Sequence, residues 1–540
     1  MSATPFTEAD PLAAGRAALG HADWAEARAR FEEAVFAGDA PEAWEGLSRA
    51  AWWQGDSEAL FFARDRAYRA YRQAGDACGA ARMAMWLASD HLDFRGDDAV
   101  ASAWLRRARA LARDLAPCAE QGYNLLLEAD IALLAESDPA TAVEKAREAV
   151  ELARHIPDVG VEVVGLAILG SALVALSAVD EGLQCLDECA TLAVAEDFSE
   201  MAAPGWALCH TVSVCANVGD FGRAAQWCRA LHTWSATWQA RHFFGICRTA
   251  YGDVLATRGD WPSAEQELVS AMEDLRTTRP ALAAPTAVRL GRLRGSQNDL
   301  AQARILFEAA LPLPQAVLAL GELDLAGGDV SAAADAADRV LRNLGDASVL
   351  DRFPALELLA RARAAAGDAD GAMVAVDEVE RHAARLGTPY MRARSLYVRA
   401  DVLAAAGDHN GARRAAEDAA DLFTASSAPY DAARARMVLS AALEALGRRE
   451  RAEAEARAAL EAFALLRAPR DGVRLANEEL SPREVEILRL VAQGLGDGQI
   501  AGRLFLSPHT VHRHVANIRM KLRTPSRAAA VAYATAHGLL

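Results

Sequence analysis

Most of this chain is built on one short signature: a glycine or other small residue, then Asp, then three residues, then Ala. It stands as Gly219-Asp220-Phe-Gly-Arg-Ala224, Gly259-Asp260-Trp-Pro-Ser-Ala264, Asn298-Asp299-Leu-Ala-Gln-Ala303, Gly328-Asp329-Val-Ser-Ala-Ala333, Gly367-Asp368-Ala-Asp-Gly-Ala372 and Gly407-Asp408-His-Asn-Gly-Ala412. Gly447 to Ala452 repeats it with Arg448 in the Asp place, and looser copies stand at Ala22-Asp23, Gly55-Asp56, Gly96-Asp97, Ser137-Asp138 and near Ser177 to Gly182. The spacing is about 40 residues, with one shorter step between Asn298 and Gly328. Glycine suits the left-handed position that ends a helix, Asp accepts the free N–H groups that begin the next one, and Ala lets the two helices approach closely. Each copy therefore predicts the bend of a helical hairpin. A lone hairpin leaves its apolar face uncovered, so consecutive hairpins stack into a superhelix.

Composition agrees. At 540 residues the chain is too long for one ordinary core. Its segments are rich in Ala, Arg, Glu and Leu, and runs of alternating Val, Ile and Thr are missing, so an all-α protein is expected. The repeats resemble tetratricopeptide-type repeats over roughly residues 10 to 465. Their period is nearer 40 than 34, which implies longer helices than the standard repeat. The resemblance implies a concave surface that takes a protein, a peptide or a small ligand, without saying which. All eleven Trp fall at or before Trp261, including Trp52-Trp53 and the pair Trp234 and Trp238. They either line an aromatic cavity or pack between repeats.

The formal charge of −17 seems to exclude a nucleic-acid partner, but it is unevenly spread. Residues 475–540 hold 8 Arg and Lys against 5 Asp and Glu, whereas residues 1–474 hold 49 against 69. The opening MSATPFTEADPLAAG has neither a basic region nor an apolar core of a secretory signal, so the cytoplasm is the expected compartment. Val163 to Val179 is uncharged over 17 residues, near the length that crosses a bilayer, but its Gly165, Gly170 and Ser171 and its fit to the repeat point to a buried helix and no membrane. The eight cysteines are expected as reduced thiols. Cys185 and Cys189 share a helix face, and Cys209-His210 and Cys215 follow; either a metal site or small apolar packing explains them, and with no dense Cys/His motif no metal or cofactor is expected.

After a linker expected at 467–479, four short helices can be read from their caps within residues 480–540. Ser481-Pro482-Arg483-Glu484 is a capping box with proline in the first turn, followed by Ile487, Leu488 and Val491 on one face and Gly494 as stop. Asp497 is placed to cap a second helix carrying Ile500, Ala501 and Leu504. Ser507-Pro508 starts a third, in which Val511, Val515, Ile518 and Leu522 form an apolar stripe. The opposite face then presents His509, His512, Arg513, Ala516, Asn517 and Met520, with Arg519, Lys521 and Arg523 near the end. Pro525-Ser526 starts a final helix whose Ala528, Ala529, Val531, Ala532 and Tyr533 offer a small surface for packing and dimerisation.

Leu480-Ser-Pro-Arg-Glu484, Leu488-Arg-Leu-Val-Ala-Gln-Gly494, Ile500-Ala501, Leu504, Ser507-Pro-His-Thr-Val511, His514-Val515, Ile518, Lys521-Leu522 and Arg527 together resemble the LuxR-type helix-turn-helix. The resemblance implies double-stranded DNA as partner, a recognition helix from about Pro508 to Leu522, and a homodimer on paired half-sites through the final helix. DNA contacts are expected from His509, Thr510, His512, Arg513, Ala516, Asn517, Arg519 and Lys521. Arg513 is a guanine reader or a phosphate contact, and His512 a base contact or a solvated residue. His514 has a structural or phosphate-contact role rather than a metal-binding one. Asn517, Arg519 and Lys521 position the backbone or serve solubility. Gly496 and Gly498 stand where Ser or Thr and a charged residue are usual, and Ala516 offers at most a methyl contact to thymine.

Catalytic motifs are missing from the sequence. The only lysines are Lys145 and Lys521, and neither follows a glycine, so a Walker-type phosphate loop is excluded. No hydrolase elbow or zinc-protease motif is found, and no enzyme is expected. The expectation is a DNA-binding transcription regulator whose repeats sense a partner by binding; the alternative is a helical-repeat adaptor whose DNA contact is secondary.

Overall fold

The computed structural model describes residues 10–195, 198, 202–238, 241–344, 349–466 and 482–504, then 506, 511, 514, 515, 518, 527, 530, 531 and 534. Among them every regular element is helical. The chain divides into two compact units, Met1–Pro469 and Arg470–Leu540.

The first unit runs from α1 (Pro11–Gly20) to α24 (Arg449–Leu465), numbered in chain order, and the twenty-four helices form twelve antiparallel pairs. The signature does in space what its chemistry requires. At Gly367, with φ +83°, the amide donates to Ala364 O at 3.1 Å and the next amide, of Asp368, donates to Arg363 O at 3.0 Å. This double bond pattern closes a helix through a left-handed residue. Asp368 Oδ1 then accepts from Gly371 N at 2.9 Å and opens the following helix. The same capping contact recurs at Asp23, Asp56, Asp138, Asp220, Asp260, Asp299, Asp329 and Asp408. Ala22, Ser137, Ser177 and Asn298 take the left-handed position without being glycine. Arg448 makes no side-chain cap, as its substitution for Asp requires. Ala224, Ala264, Ala303, Ala333, Ala372 and Ala412 are all fully buried at the helix crossings.

Odd-numbered helices also pack against the next odd-numbered helix, whereas even-numbered ones scarcely meet. The odd helices are therefore the inner layer of a curved stack. The curvature brings distant repeats together. Thr388 Oγ1 donates to Val218 O at 2.6 Å, and Trp261 meets Tyr430 edge-on with centroids 5.4 Å apart. At Gly219, φ +80°, a Cβ would lie 2.3 Å from Tyr390 Cβ, so glycine meets both a backbone and a space requirement there.

Of the uncharged stretch, Val163 to Ala175 lies in α9 (Val159–Ala175), which is buried on almost every side. Gly170 and Gly182 face each other so closely that a Cβ on Gly170 would sit 2.7 Å from Gly182 O. None of the described helices is long and apolar enough to cross a membrane. Four of the tryptophans pack against one another: Trp24 stacks on Trp53 at 4.7 Å, Trp53 meets Trp52 edge-on at 4.9 Å, and Trp234 approaches Trp53 at 6.3 Å. The expectation of reduced thiols is corrected at one pair. Cys209, on α11 (Ala203–Asn217), and Cys247, on α13 (Arg241–Thr257), are joined by a disulfide. They are 38 residues apart, one repeat period, which sets equivalent positions of neighbouring inner helices face to face. The other six cysteines are free, and Cys189 is a buried packing residue in contact with Thr211.

Candidate nucleic-acid interface

The second unit is a small core assembled from short helices. Helix α25 spans Pro482–Ala492 and buries Ile487, Leu488, Leu490 and Val491. It closes as the repeats do: Gly494, φ +83°, donates to Val491 O at 2.9 Å, and Leu495 N donates to Leu490 O at 3.3 Å. Glu484, in its first turn, is buried at 4 % exposure. Ser481, the expected cap, lies outside the described residues.

Helix α26 spans Asp497–Leu504, so Asp497 is its first helical residue and not its cap, a correction to the sequence reading. Gly496 takes the cap position, its carbonyl accepting from Ile500 N at 3.0 Å. Half of a capping box survives, because Gln499 Oε1 accepts from Gly496 N at 2.9 Å; glycine has no side chain to supply the other half. Asp497 instead joins a tie to the last helix. Its Oδ1 accepts from Arg527 Nη1 at 2.6 Å, while Arg527 Nη2 donates to Leu495 O at 2.5 Å. One guanidinium fork thus ties the last helix to the α25–α26 bend. Arg483 makes a second tie, from Nη2 to Leu504 O at 2.9 Å. Sequence reasoning missed both roles; Arg527 appeared there only as part of a resemblance.

Of the third helix, Val511 and Ile518 are buried in this core, and His514 and Val515 are half-buried beside it. Val511, Val515 and Ile518 follow the expected stripe at i, i+4 and i+7, which is the inward face of a helix. In the last helix Ala530 and Ala534 are the fully buried pair and Val531 packs at the core edge. The expected surface named Val531 but neither alanine. His509, Thr510, His512, Arg513, Ala516, Asn517, Arg519 and Lys521 lie outside the described residues, as do Leu522, Ala528, Ala529, Ala532, Tyr533 and the 467–479 linker. Among the described residues no group of three His, Cys, Asp or Glu side chains is gathered as a metal site.

Residues 478–534 match the family described as bacterial regulatory proteins, luxR family. The chain thus carries a LuxR-type helix-turn-helix DNA-binding domain behind an array of helical repeats. Over 59 residues it is 44 % identical to a putative HTH-type transcriptional regulator, Rv0890c, of Mycobacterium tuberculosis, a match covering 11 % of this chain and 7 % of that protein. Over 63 residues it is 43 % identical to the response regulator protein VraR of Staphylococcus aureus, covering 12 % and 30 %. The chain therefore spans less than a third of the length of these curated relatives. Among solved structures it is similar to yeast Tom70 (TM-score 0.36, 13 % identity, 83 % of this chain and 96 % of that one). It is also similar to a Rap protein complexed with competence and sporulation factor (TM-score 0.40, 13 % identity, 72 % and 98 %).

Proposed function

We propose that the protein is a sequence-specific DNA-binding transcription regulator that acts on chromosomal DNA in the cytoplasm, with its repeat array binding a protein, peptide or small-molecule partner. The observation that carries the reading is the C-terminal core. Val511 and Ile518 turn inward, as the sequence reading requires if His512, Arg513, Ala516 and Asn517 are to be left for DNA. A short polar and cationic helix face suits entry into the major groove. Arg513 reads a guanine edge, His512 and Ala516 contact neighbouring bases, and His509, Thr510, Asn517, Arg519 and Lys521 hold phosphates. Two copies pair through the final helix and bind half-sites. The domains divide as residues 1–466, 467–479 and 480–540, and the array modulates binding without catalysis.

Enrichment of genomic DNA fragments by the purified full-length protein, beside Arg513→Ala, tests this. A motif of paired half-sites, lost in the variant, is expected. No enriched motif for either protein would overturn the reading and favour an adaptor.

A further inference from the structure

Neighbouring inner helices of the array are tied side by side, and one of the ties is covalent. Ser171, on α9, and His210, on α11, meet at 3.1 Å, and Thr249, on α13, meets Thr286, on α15 (Ala283–Ser296), at 2.6 Å. Both are hydrogen bonds. Between α11 and α13 stands the Cys209–Cys247 disulfide, which electrons can open. Where thiols are held reduced, as in the cytoplasm proposed for this protein, a disulfide is usually transient and serves redox sensing or catalysis.

The bond reaches beyond its own repeats through the helices it joins. The bend after α11 receives Thr388, whose Oγ1 donates to Val218 O, and Tyr390, which leaves Gly219 no room for a Cβ. The bend after α13 receives the last pair of helices. A Cβ on Gly259 would lie 2.5 Å from Leu466 Cδ2 and 3.0 Å from Pro429 Cγ, and Trp261 stands edge-on to Tyr430. Helices α21 (Pro389–Ala405), α23 (Pro429–Ala445) and α24 are thus seated on these two bends, and the disulfide fixes the two helices that carry the bends. Leu466 is the last described residue of the array, and the DNA-binding domain follows in sequence.

The surroundings make the pair selective. Cys209 is 8 % exposed and Cys247 1 %, so solvent reaches the bond from the Cys209 side. Burial pushes the Cys189 and Cys228 thiols up to about 12 and raises that of Cys215 as well. Protonated, these neighbours do not reshuffle the bond, because the attacking species in exchange is a thiolate.

We propose that Cys209 and Cys247 form a redox-sensitive staple: the bond seats the last repeats on the bends after α11 and α13, and its reduction releases them. The proposal rests on the reading of the array as the sensing part of a regulator and gives it a signal. In closure by hydrogen peroxide, the Cys209 thiolate attacks one oxygen and breaks the O–O bond, leaving a sulfenic acid and hydroxide, which takes up a proton. Cys247 Sγ then displaces the second water from the sulfenic sulfur, so two thiols and one peroxide give one disulfide and two waters. In opening, a thiolate of a cellular dithiol attacks Cys209 Sγ and Cys247 leaves and is protonated. The second sulfur of the dithiol then releases Cys209, and two electrons and two protons have passed to the pair. Two thiols in contact need more room than two bonded sulfurs, and a close-packed interior passes that shift along the helices.

Full-length protein treated with stoichiometric hydrogen peroxide or with dithiothreitol, labelled with iodoacetamide after unfolding and followed by hydrogen exchange resolved by repeat, tests this. Six thiols should label after peroxide and eight after dithiothreitol. Amides of residues 389–405 and 429–466 should exchange about tenfold faster or more in the reduced protein, although no cysteine lies among them. Cys209→Ser should exchange alike under both treatments, and Cys78→Ser, a free thiol elsewhere, should switch as wild type does; the wild-type comparison stands whether or not either variant folds. Eight labelled thiols after peroxide, or a change confined to α11 and α13, overturns the proposal. DNA-fragment enrichment by the same preparations separates the two readings: an enriched motif without the exchange switch sinks this one alone, and the switch without any motif sinks the regulator reading alone.

Discussion

The two units solve opposite problems with the same local chemistry. The array uses one bend a dozen times, and each pair leans on its neighbours, so its stability is a sum of near-equal local parts. The C-terminal unit uses each of its residues once around a core of a few side chains. A left-handed glycine closes a helix in both, at Gly367 and at Gly494. What differs is the reach of a loss: a defect in the array is shared among neighbours, whereas in the small unit nothing stands behind the damaged contact.

The largest effect should come from equal core truncations in the two units. Ile487→Ala and Leu268→Ala each empty a fully buried position and should cost about 2–5 kcal/mol locally. In the small unit that is comparable to the whole stability, so Ile487→Ala should abolish its unfolding transition and DNA binding. Leu268→Ala should lower only part of the array's transition, as hydrogen exchange resolved by repeat would show. Equal global losses in both would break the contrast.

Arg64→Ala comes next. It leaves Asp90 buried without its cation and should cost about 3–5 kcal/mol, read as local loss of exchange protection around α5 (Ala77–Asp90). Glycine substitutions sharpen the picture further. Gly407→Ala, with open space around it, meets only the left-handed strain of about 1 kcal/mol. Gly219→Ala adds the collision with Tyr390 and should cost distinctly more in a thermal melt, because it strikes the contact between distant repeats. The smallest effect should be a gain. Arg448→Asp restores the missing cap and should stabilise the last pair by about 0.5–1 kcal/mol, with no gain expected if the bend there differs from its fellows.

Much of this was legible in the sequence because the bend chemistry is local. A left-handed residue, a capping Asp and a crossing Ala are fixed by neighbours within six positions, so even the loose copies at Ala22, Ser137 and Ser177 form the expected turns. Contacts set by the superhelix were not legible. Thr388 with Val218 spans 170 residues, and no periodicity announces which repeats meet after a turn. The Cys209–Cys247 pair was within reach, since its spacing equals the repeat period. In the small unit the apolar stripe of the third helix was readable. The Arg527 fork was not, because a charged side chain aimed at a backbone carbonyl leaves no pattern. The Asp497 error arose from a good capping residue standing one place inside the helix, with glycine in the cap position.

The central claim is that the outward face of the third helix reads DNA while the basic residues around it hold the backbone. Affinity for an enriched fragment and for a scrambled one, measured across a salt series with full-length wild type, Arg513→Ala and Lys521→Ala, tests it most directly. The account predicts that Arg513→Ala loses about 1–3 kcal/mol on the enriched fragment alone, and that Lys521→Ala weakens both fragments and lowers the salt slope by about 1. Equal affinity of wild type for both fragments, with neither substitution changing it, would contradict the account.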